Sequence, residues 1–141
     1  MRYYLDTNIL VFLLLGKRNL RKGVYEILGD FGNILMTSTV CVHELIHLCQ
    51  IGKLGHGKRG HDLPQPEEIL QRILQSGVCI IPVNERHLKM LSELPLLDDH
   101  RDPNDRLVIA QAIADHIPLV SSDGKFELYM RYGLDFIFNE R

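Results

Sequence analysis

Short apolar runs alternate with helix-spaced segments along the whole chain, and that alternation constrains the fold more than any single motif. Arg2–Leu5, Ile34–Thr37, Val78–Val83, Leu119–Val120 and Asp135–Phe138 read as strands. Between them, Ile9–Leu14, Leu20–Asp30, a segment from Ser38 to about Gln50, Glu67–Gln75, Glu85–Leu94, Pro103–Asp115 and Lys125–Arg131 carry helical spacing. Punctuation agrees with the pattern: Ser38 suits an N-cap, and Gly52 and Gly77 close the helices before them. The segment from Pro103 is the best defined, because Leu107, Ile109, Ala110, Ile113 and Ala114 give it a broad apolar face. Strands alternating with helices predict an α/β protein whose parallel sheet is covered on both faces.

In such a fold ligands bind at the carboxyl edge of the sheet. Four acids fall where strand and helix ends meet at that edge: Asp6, Glu44, Asp105 and Asp123. Asp6 follows the run Tyr3-Tyr4-Leu5, and Asp123 follows Leu119-Val120-Ser121-Ser122; both read as strand ends. Glu44 and Asp105 fall on the flanking helices. Carboxylates crowded at one edge repel each other and raise one another's pKa. Such a cluster is tolerable around cations, so it reads as a Mg²⁺ or Mn²⁺ site.

The rest of the composition narrows the function classes. A chain of 141 residues predicts a single domain, 1–141, able to bury a core without staples. No apolar run reaches transmembrane length, the acid at position 6 comes too early for a secretory signal, and Cys41, Cys49 and Cys79 form no CxxC pair. These features predict a reduced, cytoplasmic protein with no membrane partner. A net charge of −2 excludes a generally basic nucleic-acid binder. Any contact with nucleic acid is then local or through metal.

Each motif has a plainer alternative. Asp6-Thr7-Asn8 also reads as a turn and N-cap. Asp102 is an N-cap before Pro103, with Asp105 at the third helical position, an arrangement like a capping box. Ser121-Ser122-Asp123-Gly124 also reads as a turn. Glu44 resists that treatment, since apolar Val40, Cys41, Leu45 and Leu48 surround it on its helix and an unpaired carboxylate there is costly. His43-Glu44-Leu45-Ile46-His47 matches H-E-x-x-H, the zinc-peptidase helix with Glu44 as general base. Its extended form asks for Gly and His where this chain has Gln50 and Lys53, leaving His56 and His61 of a glycine-rich loop as third-ligand candidates. Gly52-Lys53-Leu54-Gly55-His56-Gly57-Lys58-Arg59 approaches a phosphate loop, but Arg59 replaces the Mg²⁺-binding hydroxyl and the segment follows a helix, so it is rejected as a nucleotide site. Lys58 and Arg59 are either a solvated loop or phosphate contacts.

The order of the motifs is more specific than any one of them. Leu5-Asp6-Thr7-Asn8-Ile9-Leu10 at the start, Ser38 with Glu44-Leu45, Asp102-Pro103-Asn104-Asp105-Arg106-Leu107 running into Ile109-Ala110-Gln111-Ala112, and then Ser122-Asp123 resemble the PIN-domain nucleases. Within that family the chain looks most like the VapC-type toxins of toxin–antitoxin pairs. The resemblance spans nearly the whole chain and implies a PIN-like three-layer α/β/α fold with a central parallel sheet of about five strands. It implies that Asp6, Glu44, Asp105 and Asp123 are the catalytic and metal-site acids, with Thr7, Asn8, Ser38 and Ser122 as polar support. Two departures stand out: Asn104 where relatives often carry Phe, and His43 beside Glu44. Neither removes an acid.

The resemblance further implies a Mg²⁺- or Mn²⁺-dependent endoribonuclease, with an RNA substrate, a cognate antitoxin and a toxin homodimer as partners. Arg101 and Arg106 are candidate RNA-backbone contacts, against ordinary pairing on the helix surface. The run Phe12-Leu13-Leu14-Leu15 is either partner surface or core. Two alternatives remain open at this point: a zinc metallopeptidase on the His43-Glu44-Leu45-Ile46-His47 helix, and a catalytically silent PIN-like module that binds RNA or protein.

Overall fold

The computed structural model describes residues 1–16, 20–54 and 64–141. Its centre is a five-stranded sheet in the order β3-β2-β1-β4-β5, every neighbouring pair parallel. The strands are β1 (Arg2–Leu5), β2 (Ile34–Ser38), β3 (Cys79–Ile81), β4 (Leu119–Ser121) and β5 (Phe136–Phe138). Helices connect them: α1 (Thr7–Leu15) and α2 (Lys22–Gly29) after β1, α3 (Thr39–Gln50) and α4 (Ile69–Gln75) after β2, α5 (Glu85–Glu93) and α6 (Pro103–Asp115) after β3. The chain therefore has the expected α/β architecture, a parallel sheet between layers of helix.

The order of the strands determines where a site can form. From β1 the chain moves outward to β2 and β3, then returns to the other side of β1 as β4 and β5. The reversal between β1 and β4 leaves a crevice at their carboxyl ends, the topological switch point of an open parallel sheet. Asp6 follows β1, and Ser121 ends β4. The backbone closes the seam between them, with the Asp6 N–H donating to the Val120 carbonyl at 3.0 Å.

The two central strands are the most apolar, as burial from both faces requires. Tyr4, Leu5, Leu119 and Val120 are all buried, joined in one cluster by Ile9 and Leu10 of α1, Cys41 and Leu45 of α3, and Ile109, Ala112 and Ile113 of α6. Phe12 to Leu15, open between partner surface and core, pack half-buried against this cluster. No helix among the described residues is long and apolar enough to cross a membrane.

The element boundaries differ from expectation in physically instructive places. The last helical segment, expected as an ordinary helix over Lys125–Arg131, is a 3₁₀ stretch over Gly124–Tyr132. Its two fully buried side chains, Phe126 and Tyr129, are three residues apart, and a three-residue turn stacks such a pair on one face. Glu67–Gln75 likewise begins as a short 3₁₀ turn, Pro66–Glu68, before α4. Gly77 then takes φ 86°, a left-handed turn that a side chain would strain, and redirects the chain into β3. The expected helix from Leu20 starts at Lys22. The expected strand Val78–Val83 contracts to three residues, Cys79–Ile81.

Candidate active site

Asp6 is the most constrained of the acids. It follows β1 in extended backbone and caps α1, accepting the Thr7 N–H on Oδ1 at 2.8 Å. The Cys41 thiol lies 3.8 Å from the same oxygen. Oδ2 accepts from the Ser121 hydroxyl at 2.7 Å and the Asn8 amide at 3.2 Å. Donors thus surround both oxygens of a carboxyl that is only 4% exposed. Burial nevertheless pushes its pKa up to about 6, against the pull of the Ser121 and Thr7 bonds, and the charges of Glu44 and Asp123 push the same way.

Thr7 and Asn8 tie the other acids to this anchor. The Thr7 hydroxyl donates to Glu44 Oε2 at 3.0 Å, which turns the half-buried Glu44 side chain of α3 toward β1. Asn8 bridges the two central strands: its amide also donates to Ser121 Oγ at 3.3 Å, and its Oδ1 accepts the Ser122 N–H at 3.0 Å. The Ser121 hydroxyl in turn accepts the Asp123 N–H at 3.0 Å, and Asp123 caps the following 3₁₀ stretch through the Lys125 N–H.

Asp105 approaches from α6. Its neighbour Asp102 is the N-cap, with Oδ1 accepting the Asn104 N–H at 2.9 Å and the Asp105 N–H at 3.1 Å. Capping therefore occupies exposed Asp102 and leaves the Asp105 carboxylate directed toward the other acids. The pKa of Asp105 is pushed up to about 8, first by burial and then by the charges of Asp6, Asp102, Glu44 and Asp123. That set of causes places the other three sequence-selected acids within electrostatic reach of Asp105.

Three ligand-bearing side chains, His100, Asp105 and Asp123, bring one donor atom each to within 4.8 Å of one another, a spacing that suits a divalent cation. Burial first, and the neighbouring acids second, disfavour the charged carboxylates at the same place. The residues present fit a divalent ion.

His100 is the residue that sequence reasoning missed. It lies in the loop before α6, only 5% exposed, with Nε2 3.3 Å from Asp105 Oδ2. Burial holds its pKa below the usual imidazole range despite the opposing pull of Asp123 and Asp102. Its signal in the sequence, a histidine among Asp98, Asp99, Arg101 and Asp102, is that of any polar loop. Ser121 was passed over in favour of Ser122. Ser121 contacts Asp6, Asn8 and Asp123, whereas the Ser122 hydroxyl accepts from Asn139 at 2.9 Å. Side chains alternate across a strand, so adjacent serines at its end diverge.

The remaining sequence-selected residues sit as follows. Ser38 is buried and caps α3, its hydroxyl accepting the Val40 N–H at 3.1 Å. Arg101 pairs with Asp98 at 3.0 Å. Arg106 donates to the Leu94 carbonyl at 2.7 Å and the Pro95 carbonyl at 3.2 Å, fastening the chain before His100 to α6. His43 and His47 are exposed on α3, and among the described residues neither joins a metal-ligand cluster. Lys58, Arg59, His56 and His61 lie outside the described residues.

Comparison with known proteins adds to this geometry. The family model for the PIN domain matches residues 3–130. No curated protein matches the sequence. Among solved structures, the fold is similar to a chain of VapBC2 from Rickettsia felis bound to a DNA fragment from its promoter, at 21% identity and TM-score 0.69, covering 99% of this chain and 100% of that one. It is also similar to a chain of VapBC-1 from nontypeable Haemophilus influenzae, at 20% identity and TM-score 0.69, covering 98% of both chains. A third similarity is to VapBC-5 from Mycobacterium tuberculosis, a member of the VapBC family of toxin–antitoxin systems, at 15% identity and TM-score 0.64, covering 99% of this chain and 98% of that one.

Proposed function

The chain belongs to the PIN domain family, and from that premise we propose that it is a metal-dependent endoribonuclease acting as the toxin of a toxin–antitoxin pair. The observation that carries the reading is the grouping of Asp6, Glu44, Asp105 and Asp123 at the switch point between β1 and β4, where two of the carboxyls are raised well above their ordinary range. The similar solved chains come from VapBC toxin–antitoxin complexes and support the biological role.

Asp6, Glu44, Asp105 and Asp123 would hold Mg²⁺ or Mn²⁺, with Asp105 and Asp123 carrying donor atoms within 4.8 Å of each other. When bound, the ion lowers the pKa of a water molecule and offsets charge on the scissile phosphate. The protein's own contribution is positioning. Thr7 holds Glu44, Ser121 and the Thr7 N–H hold Asp6, and Asn8 pins the ends of β1 and β4 so that the acids keep their spacing. With a net charge of −2, the chain approaches a polyanion through bound cations rather than a general basic surface.

The partners proposed are an RNA substrate, a cognate antitoxin that covers the acids, and a second copy of the chain. The three cysteines are free thiols, which suits the reducing cytoplasm. The test uses protein separated from its antitoxin, stripped with a chelator and given RNA. Cleavage returns with Mg²⁺ or Mn²⁺ and is abolished by Asp6→Asn or Asp123→Asn. Folded protein that binds RNA but cleaves none with either metal overturns the nuclease reading and leaves a binding module. Peptidase activity restored by zinc and lost in His43→Ala overturns it in favour of the H-E-x-x-H helix.

A further inference from the structure

The cluster of acids contains a nitrogen donor with a defined orientation. The His100 ring is held edge-on by Phe126, with centroids 5.7 Å apart at 78°, and by Tyr129, at 5.2 Å and 74°. The Tyr129 hydroxyl lies 2.7 Å from His100 Nδ1 and 3.2 Å from the His100 carbonyl. A hydroxyl has one proton. Donating it to the carbonyl leaves an oxygen lone pair for an N–H on Nδ1, so both contacts are satisfied. Donating it to Nδ1 leaves the carbonyl contact without a proton. The first arrangement protonates Nδ1 and leaves Nε2 with a lone pair. That lone pair faces Asp105 Oδ2 at 3.3 Å. Two lone pairs at that distance repel unless a proton or a cation lies between them, and a cation that displaces the proton engages both.

We propose that His100 Nε2 is a direct ligand of the divalent ion, together with Asp105 and Asp123, and that this mixed nitrogen–oxygen site prefers Mn²⁺ to Mg²⁺. The inference rests on the metal-dependent reading above and specifies its ligand set. An octahedral ion with bonds of about 2.1 Å needs adjacent donors about 3 Å apart and opposed donors about 4 Å apart. The 3.3 Å between Nε2 and Oδ2, and the 4.8 Å limit on the whole group, lie close to those values. Magnesium favours hard oxygen donors, whereas imidazole suits transition-metal ions. Tyr129 supplies the outer contact that a ligating histidine ordinarily makes through its second nitrogen, fixing the tautomer and the ring.

Pulsed electron paramagnetic resonance of Mn²⁺ bound to the full chain, without RNA, tests the assignment through the coupling of the ion to a ligating ¹⁴N nucleus. Wild-type protein shows nitrogen coupling. His43→Gln/His47→Gln, which alters only exposed histidines, keeps the coupling, and His100→Gln removes it. The Mn²⁺ dissociation constant in His100→Gln rises at least about tenfold, as large as the loss of an outer-shell partner produces, with a smaller rise for Mg²⁺. Bound Mn²⁺ with no nitrogen coupling in wild type overturns the inference and makes His100 a positioning residue for Asp105; the metal-dependent reading survives. Coupling that persists in His100→Gln overturns it also. Wild-type protein that binds neither ion overturns both readings. The wild-type spectrum decides even if His100→Gln fails to fold.

Discussion

Replacing Asp105 by Asn removes a charge that the folded chain accommodates badly. The carboxyl titrates near 3.8 without its folded surroundings and is pushed up to about 8 within them. Between those values the unfolded chain releases a proton that the folded chain retains. Folding stability therefore falls as pH rises through this window and levels off above about pH 8. At about 1.4 kcal/mol per pKa unit, the ceiling on the penalty near pH 7.5 is about 5 kcal/mol. The side chain is 25% exposed, so solvent screens part of it, and we expect about 2 kcal/mol. Asn keeps the shape, carries no charge and offers an N–H to His100 Nε2. In metal-free protein, Asp105→Asn is then about 2 kcal/mol more stable than wild type at pH 7.5, with a Tm rise of about 6 °C. The advantage shrinks toward zero as pH falls to 4. Urea and thermal denaturation of chelator-treated protein across pH 4–8 measure it, and RNA cleavage is lost in the same variant. A variant less stable than wild type at pH 7.5, or a difference independent of pH, refutes the account of a carboxylate disfavoured by burial and by its acidic neighbours.

Other substitutions separate positioning from folding. Thr7→Val removes the hydroxyl that holds Glu44 and lowers cleavage by about tenfold, the loss of roughly one hydrogen bond, while the denaturation midpoint moves little. Arg106→Ala removes two bonds to backbone carbonyls and costs about 1.5–3 kcal/mol in urea denaturation; an unchanged midpoint with weaker RNA binding restores Arg106 to the RNA contact. Tyr4→Phe deletes a hydroxyl that donates to Asp115 at 2.6 Å and accepts from Gln111 at 3.3 Å. It destabilises the fold by about 1–3 kcal/mol and leaves metal binding intact, as calorimetry with Mn²⁺ would register.

The parts of the fold that were legible in the sequence are those decided by local chemistry. Tyr4 and Leu5 before Asp6, and Leu119 and Val120 before Ser121, are short apolar runs with polar ends, and they became the two central strands. Ser38 and Asp102 announced their helices because an N-cap acts within three residues. The illegible parts depend on distant contacts. Nothing near His100 shows that Tyr129, twenty-nine positions away, will hold its ring. The choice between Ser121 and Ser122 depends on where β4 ends. Phe126 and Tyr129 fit an α-helix as readily as a 3₁₀ stretch until the space beneath them is known.

The seam between β1 and β4 also governs when the proposed site can form. Ser121 and Asp6, whose side chains meet at 2.7 Å, are separated by 115 positions. During synthesis the first strand leaves the ribosome with its β4 neighbour still untranslated, and contacts so far apart in sequence form late. A nascent or prematurely terminated chain lacking Leu119–Ser121 has neither the strand beside Asp6 nor the acid at position 123. The proposed catalytic centre is therefore absent until β4 and Asp123 have been made, more than a hundred residues after Asp6.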